Sequence, residues 1–210
     1  MAKLYFRYGA MGSAKTLNLL AVRHNYELQG KRVILLKPRT DDRFGAQTVK
    51  SRAGLSYEAD LILDEDTVIE PELFRGLHCV LVDEGQFLSP RLVEVLRHIT
   101  HEYDVPVIAY GLRTDFATNL FPGSRRLMEL ADAVEEVKTT CMFCNRKAVF
   151  NLRHDASGKA ILDGPQVMLG ADAQYSPVCH GCYVERTGRP VGGIASSSDE
   201  SVLLPAVEQV

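Results

Sequence analysis

The sequence predicts an α/β fold with a parallel sheet, followed by a small cysteine-held module. Three observations carry that prediction. Short apolar runs alternate with helical patterns as far as Thr139, the signature of a parallel sheet with helices on its faces. The first run, Leu4-Tyr5-Phe6, leads through Gly9-Ala10-Met11-Gly12-Ser13-Ala14-Lys15-Thr16 into a helical pattern, which is the strand–loop–helix context of a phosphate-binding loop. Beyond Thr139 two C-x-x-C pairs replace the alternation.

The elements follow in order. Leu17, Leu19, Leu20 and Ala21 set a helix over 15–29 that ends near Gly30. Val33 to Leu36 is a continuous apolar run, as expected of a strand buried on both faces. Residues 39–60 are polar and contain glycine, so they read as irregular. Leu61-Ile62-Leu63 is a short strand, and a helix is expected after Pro71. Cys79 to Val82 is an apolar strand that ends in Asp83-Glu84-Gly85-Gln86-Phe87. Leu92, Val93, Val95, Leu96 and Ile99 give Pro90 to His101 helical spacing. A strand over Val105–Leu112, a helix over 124–133 and a strand over Val134–Lys138 complete the first unit. Strand-like runs at Ala148–Leu152 and Gln166–Leu169 lie between the cysteine pairs. These breaks divide the chain into units 1–139 and 140–188. A Gly-, Ser- and acid-rich tail over 189–210 is expected to be mobile or used only in subunit contacts.

Bulk properties narrow the function classes. The 210 residues hold one ordinary domain plus a small module, and 46% hydrophobic content is that of a globular chain. A formal net charge of −3 argues against a dedicated nucleic-acid binder. No stretch of about 18 apolar residues offers a membrane span. The first strand begins almost at once, so no signal peptide is expected and a cytoplasmic address follows. In a reducing compartment the five cysteines need an explanation other than disulfides.

The octet Gly9–Thr16 supplies successive backbone N–H groups as a concave anion nest at a helix N-terminus. Lys15 is placed to reach the β- and γ-phosphates, and Thr16 to offer its hydroxyl to Mg²⁺. Ala14 stands where the motif has its second glycine, and a Cβ there could crowd the nucleotide or the loop. Val80-Leu81-Val82-Asp83-Glu84 then delivers two carboxylates to the sheet edge where α/β folds bind ligands. Asp83 is placed to hold Mg²⁺, and Glu84 to accept a proton from an attacking hydroxyl. Gln86 either binds nucleotide or caps the following segment.

Cys141/Cys144 and Cys179/Cys182 each have the spacing at which two thiolates meet one metal ion. Two pairs complete a closed tetrahedral S₄ site, for which Zn²⁺ is the expected ion and a structural role the expected one. A redox C-x-x-C is the alternative. Cys79 lies in a buried strand and reads as a core residue. Asp41-Asp42-Arg43 is either a metal and phosphate contact or a charged loop. Arg43 and Arg113 could neutralise transition-state charge. Phe87, Phe116 and Phe121 follow strand ends, where a base could stack, or are ordinary core aromatics. Tyr175 offers a ring and a hydroxyl.

Taken together, these residues resemble the type II thymidine kinase family over roughly residues 3–186. The resemblance is carried by Gly9–Thr16, Asp41-Asp42-Arg43-Phe44-Gly45, Val82–Phe87, Tyr110-Gly111-Leu112-Arg113-Thr114-Asp115-Phe116, Cys141-x-x-Cys144 and Tyr175-x-x-x-Cys179-x-x-Cys182. It implies a RecA-like domain, a zinc-ribbon-like lasso domain, and transfer of a phosphoryl group from ATP to the 5′-hydroxyl of thymidine or deoxyuridine. In that family's pattern Glu84 is the general base. Gly9, Ala10, Met11, Gly12, Ser13, Ala14, Lys15, Thr16, Asp83 and Gln86 serve the nucleotide, and Asp41 lies near the Mg²⁺ with Thr16 and Asp83. Arg43, Phe87, Leu112, Phe116 and Phe121 fall to the substrate. Gln166, Met168 and Gly170 belong to the lasso backbone that hydrogen-bonds the base, and Tyr175 to a deoxyribose contact. Feedback inhibition by thymidine triphosphate and a homotetramer are also implied. Two rival readings remain. Asp83-Glu84-x-Gln86 matches a DEAQ-like helicase box, which fits a nucleic-acid-dependent ATPase. Alternatively, Ala14 has spoiled catalysis and left a nucleotide sensor.

Overall fold

The computed structural model describes residues 1–41, 45, 47–167 and 174–189. The central sheet has six parallel strands. In chain order they are β1 (Leu4–Tyr8), β2 (Val33–Pro38), β5 (Leu61–Leu63), β6 (Cys79–Val82), β7 (Val107–Gly111) and β8 (Ala133–Glu136). Their spatial order is β5-β2-β6-β7-β1-β8. The hairpin of β3 (Thr48–Lys50) and β4 (Ser56–Glu58) lies between β2 and β5 in sequence.

Alternate side chains of the three central strands feed two separate cores. Ile34, Leu36, Val80, Val82, Val107 and Ala109 pack on one face, against α2 (Pro90–Glu102) and α3 (Pro122–Leu130). Val33, Leu35, Cys79, Leu81, Ile108 and Tyr110 pack on the other, with Leu19 and Leu20 of α1 (Lys15–Leu28). Strands covered on both faces can be apolar at every position, which is why these runs do not alternate in the sequence. Ser89 caps α2 by accepting from the Leu92 N–H at 3.3 Å, and Pro90 pre-sets its first turn.

Beyond β8, β9 (Phe150–His154) and β10 (Gln174–Val178) form an antiparallel pair followed by α4 (His180–Thr187). A small core of Cys141, Leu152, Val178, Cys179 and Tyr183 lies under them.

Several expectations need correction. The helix expected after Pro71 is a single 3₁₀ turn, Pro71–Phe74. The turn is four residues long and ends before the exposed Arg75, too short to lay a helical face on the sheet. The segment read as irregular contains the β3–β4 hairpin, whose sides are too short to show a period. The strand expected from Ala148 starts at Phe150. Of the run Gln166–Leu169, the first two residues are not in a strand, and the rest lies outside the described residues.

Candidate active site

The site sits at the C-terminal ends of β1, β2, β6 and β7. Gly9 leaves β1 and donates its N–H to the Gly111 carbonyl at 3.2 Å. A Cβ on Gly9 would lie 2.5 Å from Ser13 Oγ, so only glycine lets the loop close this tightly. The Lys15 ammonium lies inside the loop. It donates to the carbonyls of Gly9 at 3.0 Å and Ala10 at 2.9 Å. These contacts keep the charge at the centre of the nest.

Ala14 is the N-cap of α1 at φ 61°, ψ 26°, in the left-handed region. Its side chain is exposed, so the departure from glycine does not crowd the loop interior. Its cost is backbone strain of about 1–2 kcal/mol, partly offset by the lower chain entropy of alanine. Ala14→Gly is expected to raise the melting temperature by about 2 °C, the response of a chain this size to roughly 0.5–1 kcal/mol. A lower melting temperature would show that the loop is not strained at this position.

Asp83 ends β6 and is buried. The Thr16 hydroxyl donates to its two carboxylate oxygens at 3.3 and 3.2 Å. Burial, then the neighbouring Glu84, pushes the Asp83 carboxyl up to about 7. The metal-free folded chain therefore binds a proton here that the unfolded chain has already lost. Its stability falls as pH rises from about 4 to about 7. A divalent cation offsets that loss only where the carboxylate is ionised, so Mg²⁺ should raise the melting temperature more at pH 8 than at pH 6. Equal shifts at the two pH values would remove Asp83 from the cation site.

Glu84 follows with φ 49° and ψ 42°, a left-handed conformation that a non-glycine residue adopts only when its surroundings hold it there. Gln86 supplies part of that hold. Its amide Nε2 donates to Glu84 Oε2 at 2.5 Å, while its Oε1 accepts the Leu112 N–H at 2.9 Å. A Cβ at Gly111 would lie 2.7 Å from that same Oε1, so β7 must end in glycine for the bridge to fit. The Gln86 amide thus bridges Glu84 and Leu112.

These groups share one cleft of about 240 Å³, lined by Met11 to Leu17, Asp41, Lys50 to Ala53, Asp83, Glu84 and Leu112. Hairpin residues Lys50, Ser51 and Arg52 thus face the phosphate loop, a placement that no local pattern announced. Lys37 was also missed because it sits at the end of an apolar strand. It is fully buried, donates to the carbonyls of Gly45 at 3.1 Å and Thr48 at 2.8 Å, and lies 3.5 Å from the Asp41 carboxylate.

The aromatic candidates lie deeper. Phe87 and Phe121 meet edge to face at 5.8 Å, and Phe121 is buried. Phe116 is buried under the Arg153 guanidinium, 3.5 Å from its ring centroid. The Gln166 amide donates to Asp115 Oδ2 at 2.9 Å. Tyr175 is half-buried on β10, paired in register with Arg153. Arg113 lies over the Tyr8 ring at 5.6 Å. Arg43, Met168 and Gly170 lie outside the described residues. Asn151 of β9 was not foreseen. It accepts the Met11 N–H at 2.8 Å and donates to the Thr114 carbonyl at 3.2 Å, joining the phosphate loop to the segment after β7.

The four cysteines converge as their spacing requires, with every Sγ within 4.8 Å of the others. Cys144 Sγ and Cys179 Sγ are 3.6 Å apart, close to the edge of a tetrahedron with about 2.3 Å metal–sulfur bonds. The N–H groups of Phe143 and Cys182 point at Cys141 Sγ and Cys179 Sγ, both at 3.5 Å. Burial raises the Cys141 thiol, but backbone N–H donors outweigh it and bring the thiol down to about 6. The neighbouring sulfurs push Cys182 up to about 12. Four thiols this close cannot all ionise without a cation among them, so the donor set fits Zn²⁺.

Comparison with known proteins identifies the family. The family model described as thymidine kinase matches residues 2–183. A thymidine kinase of Ruegeria pomeroyi is 45% identical over 194 residues, 90% of this chain and 98% of that protein. One from Streptococcus gordonii is 44% identical over 185 residues, 87% of this chain and 96% of that protein. One from Lactiplantibacillus plantarum is 45% identical over 186 residues, 87% and 96% respectively. Among solved structures, a Bacteroides Pif1 bound to single-stranded DNA overlaps 64% of this chain and 38% of its own, at 14% identity and a TM-score of 0.39, too slight a likeness to carry an argument. With a matching model from end to end of the sheet and cysteine module, and relatives this similar over nearly their whole length, the chain belongs to the thymidine kinase family.

Proposed function

We propose that this protein transfers the γ-phosphoryl group of Mg-ATP to the 5′-hydroxyl of thymidine, and of deoxyuridine, in pyrimidine deoxynucleotide salvage. The observation that carries the proposal is the meeting of the phosphate loop, the Thr16–Asp83 pair and Glu84 in one cleft. Gly9 to Thr16 hold the triphosphate, with Lys15 as the central charge. Thr16 and Asp83, with Asp41 beside them, hold Mg²⁺, which supplies charge neutralisation at the transferred phosphate. Glu84 accepts the 5′-hydroxyl proton as the new O–P bond forms. The bond from the γ-phosphorus to the bridging oxygen breaks, and ADP leaves with that electron pair. Gln86 aims the Glu84 carboxylate.

Leu112, Phe116, Phe121 and Phe87 form the apolar side of the nucleoside site. Gln166, Met168, Gly170 and Tyr175 supply its polar contacts, and Arg43 a cation. Residues 1–139 act as the ATP-binding unit and 140–188 as the nucleoside-binding unit, stapled by Zn²⁺ on Cys141, Cys144, Cys179 and Cys182. The family pattern further suggests thymidine triphosphate as feedback inhibitor, a homotetramer and a cytoplasmic setting without nucleic-acid partners. Among the described residues, no helix is long and apolar enough to cross a membrane.

A coupled ADP-release assay with Mg-ATP and each nucleoside in turn tests the reading. Release that depends on thymidine or deoxyuridine, and not on purine nucleosides or DNA, is the expected result. Release stimulated by DNA would establish the ATPase alternative instead.

A further inference from the structure

Arg153 is a permanent cation with only 1% of its surface exposed. Among the described residues its partners are two carbonyls and a ring, not a carboxylate. Nη1 donates to the Pro165 carbonyl at 2.8 Å, and Nη2 to the Asp163 carbonyl. The flat of the guanidinium covers the Phe116 ring. Its Nε is buried without a hydrogen-bond partner. Burying a cation this incompletely compensated is costly, and a hydrocarbon side chain would fill the same space without that cost.

The surroundings are shaped around this group. Gly164 turns at φ +114°, and a Cβ there would lie 3.2 Å from Nη2. The next residue but one, Gln166, is bonded to Asp115, which itself accepts the N–H groups of Ala117 and Asn119, both at 2.9 Å. Tyr183 donates to the Phe116 carbonyl at 2.7 Å. The segment 163–166 and the turn carrying Phe116 are therefore joined by the Gln166–Asp115 bond at one end and by a single planar side chain over the ring itself. It grips the carbonyls with its edge and the ring with its face.

We propose that Arg153 is a positioning residue for the nucleoside: it fixes the Phe116 ring and the 163–166 segment as a single wall of the nucleoside pocket. This rests on the thymidine kinase reading. Lysine cannot substitute, because an ammonium has neither a stacking face nor a two-pronged edge. Arg153 does not line the phosphate cleft, so ATP use should be spared.

The test compares wild type with Arg153→Lys and Arg153→Met. The expected result is a thymidine KM raised at least tenfold, an ATP KM within twofold, and faster amide exchange at residues 163–167. In a Phe116→Leu background the further effect of Arg153→Lys on thymidine KM should largely vanish, because the contact is already gone. If Arg153→Met does not fold, the lysine variant and this double-mutant cycle decide. Thymidine KM unchanged in Arg153→Lys, or both KM values rising in parallel with lost stability, would overturn the proposal and leave the kinase reading intact. A wild type that turns over no thymidine would instead remove the kinase reading, and this proposal with it.

Discussion

Replacing Glu84 with Gln will abolish thymidine turnover while leaving thymidine bound. The substitution keeps the shape and the hydrogen-bonding oxygen that Gln86 meets at 2.5 Å, and removes only the ability to take a proton. Loss of a positioned general base costs about 10²–10⁴ in rate. Glu84 is also held in a left-handed backbone conformation by its neighbours, so its direction is set before any substrate arrives. The kcat should fall by at least a hundredfold, with calorimetric thymidine affinity changed less than threefold. Near wild-type kcat would remove Glu84 from the base role. A parallel loss of affinity would make it a binding group.

Cys141→Ser has the second large expected effect. Purified wild type should carry about one zinc per chain, and the variant almost none. Structural zinc contributes roughly 10–16 kcal/mol of binding energy in small modules, and most of it depends on four intact ligands. The core beneath β9 and β10 is small, and two of its five buried residues are themselves cysteines, so little else holds it. Through the Tyr183–Phe116 hydrogen bond that module reaches the turn after β7 that carries the proposed nucleoside contacts. Loosening residues 139–185 should therefore weaken thymidine binding tenfold or more, read by calorimetry beside elemental analysis. A zinc-free wild type with full thymidine affinity would falsify the structural-metal reading.

Legibility in the sequence followed range. Each motif that is complete within a few consecutive residues was readable: the octet ending Lys15-Thr16, the strand end Asp83-Glu84, and the C-x-x-C pairs. Their spacing is local and its chemistry is fixed by residue type. The apolar runs of β2, β6 and β7 were equally plain, because a strand covered on both faces needs no polar positions. Short elements were not: β3 and β4 are three residues each, below the length at which a period shows. Gln86 was visible but its role stayed open, since its two partners are Glu84 two residues back and Leu112 just past the end of β7.

From the residues alone came the parallel α/β sheet, the phosphate-loop motif, the paired carboxylates and the two thiol pairs at metal-ligand spacing, all written in near-neighbour spacing. Only the tertiary structure decided that Lys50 and Arg52 face the phosphate loop. It also decided that Lys37 is buried beside Asp41, that Asn151 joins Met11 to Thr114, and that Arg153 lies on Phe116. All but the Lys37–Asp41 pair, which is four residues apart, join elements distant in the chain. Isolated polar residues carry no mark of which distant carbonyl or ring will meet them, because that choice is made by how the sheet and its covering layers close.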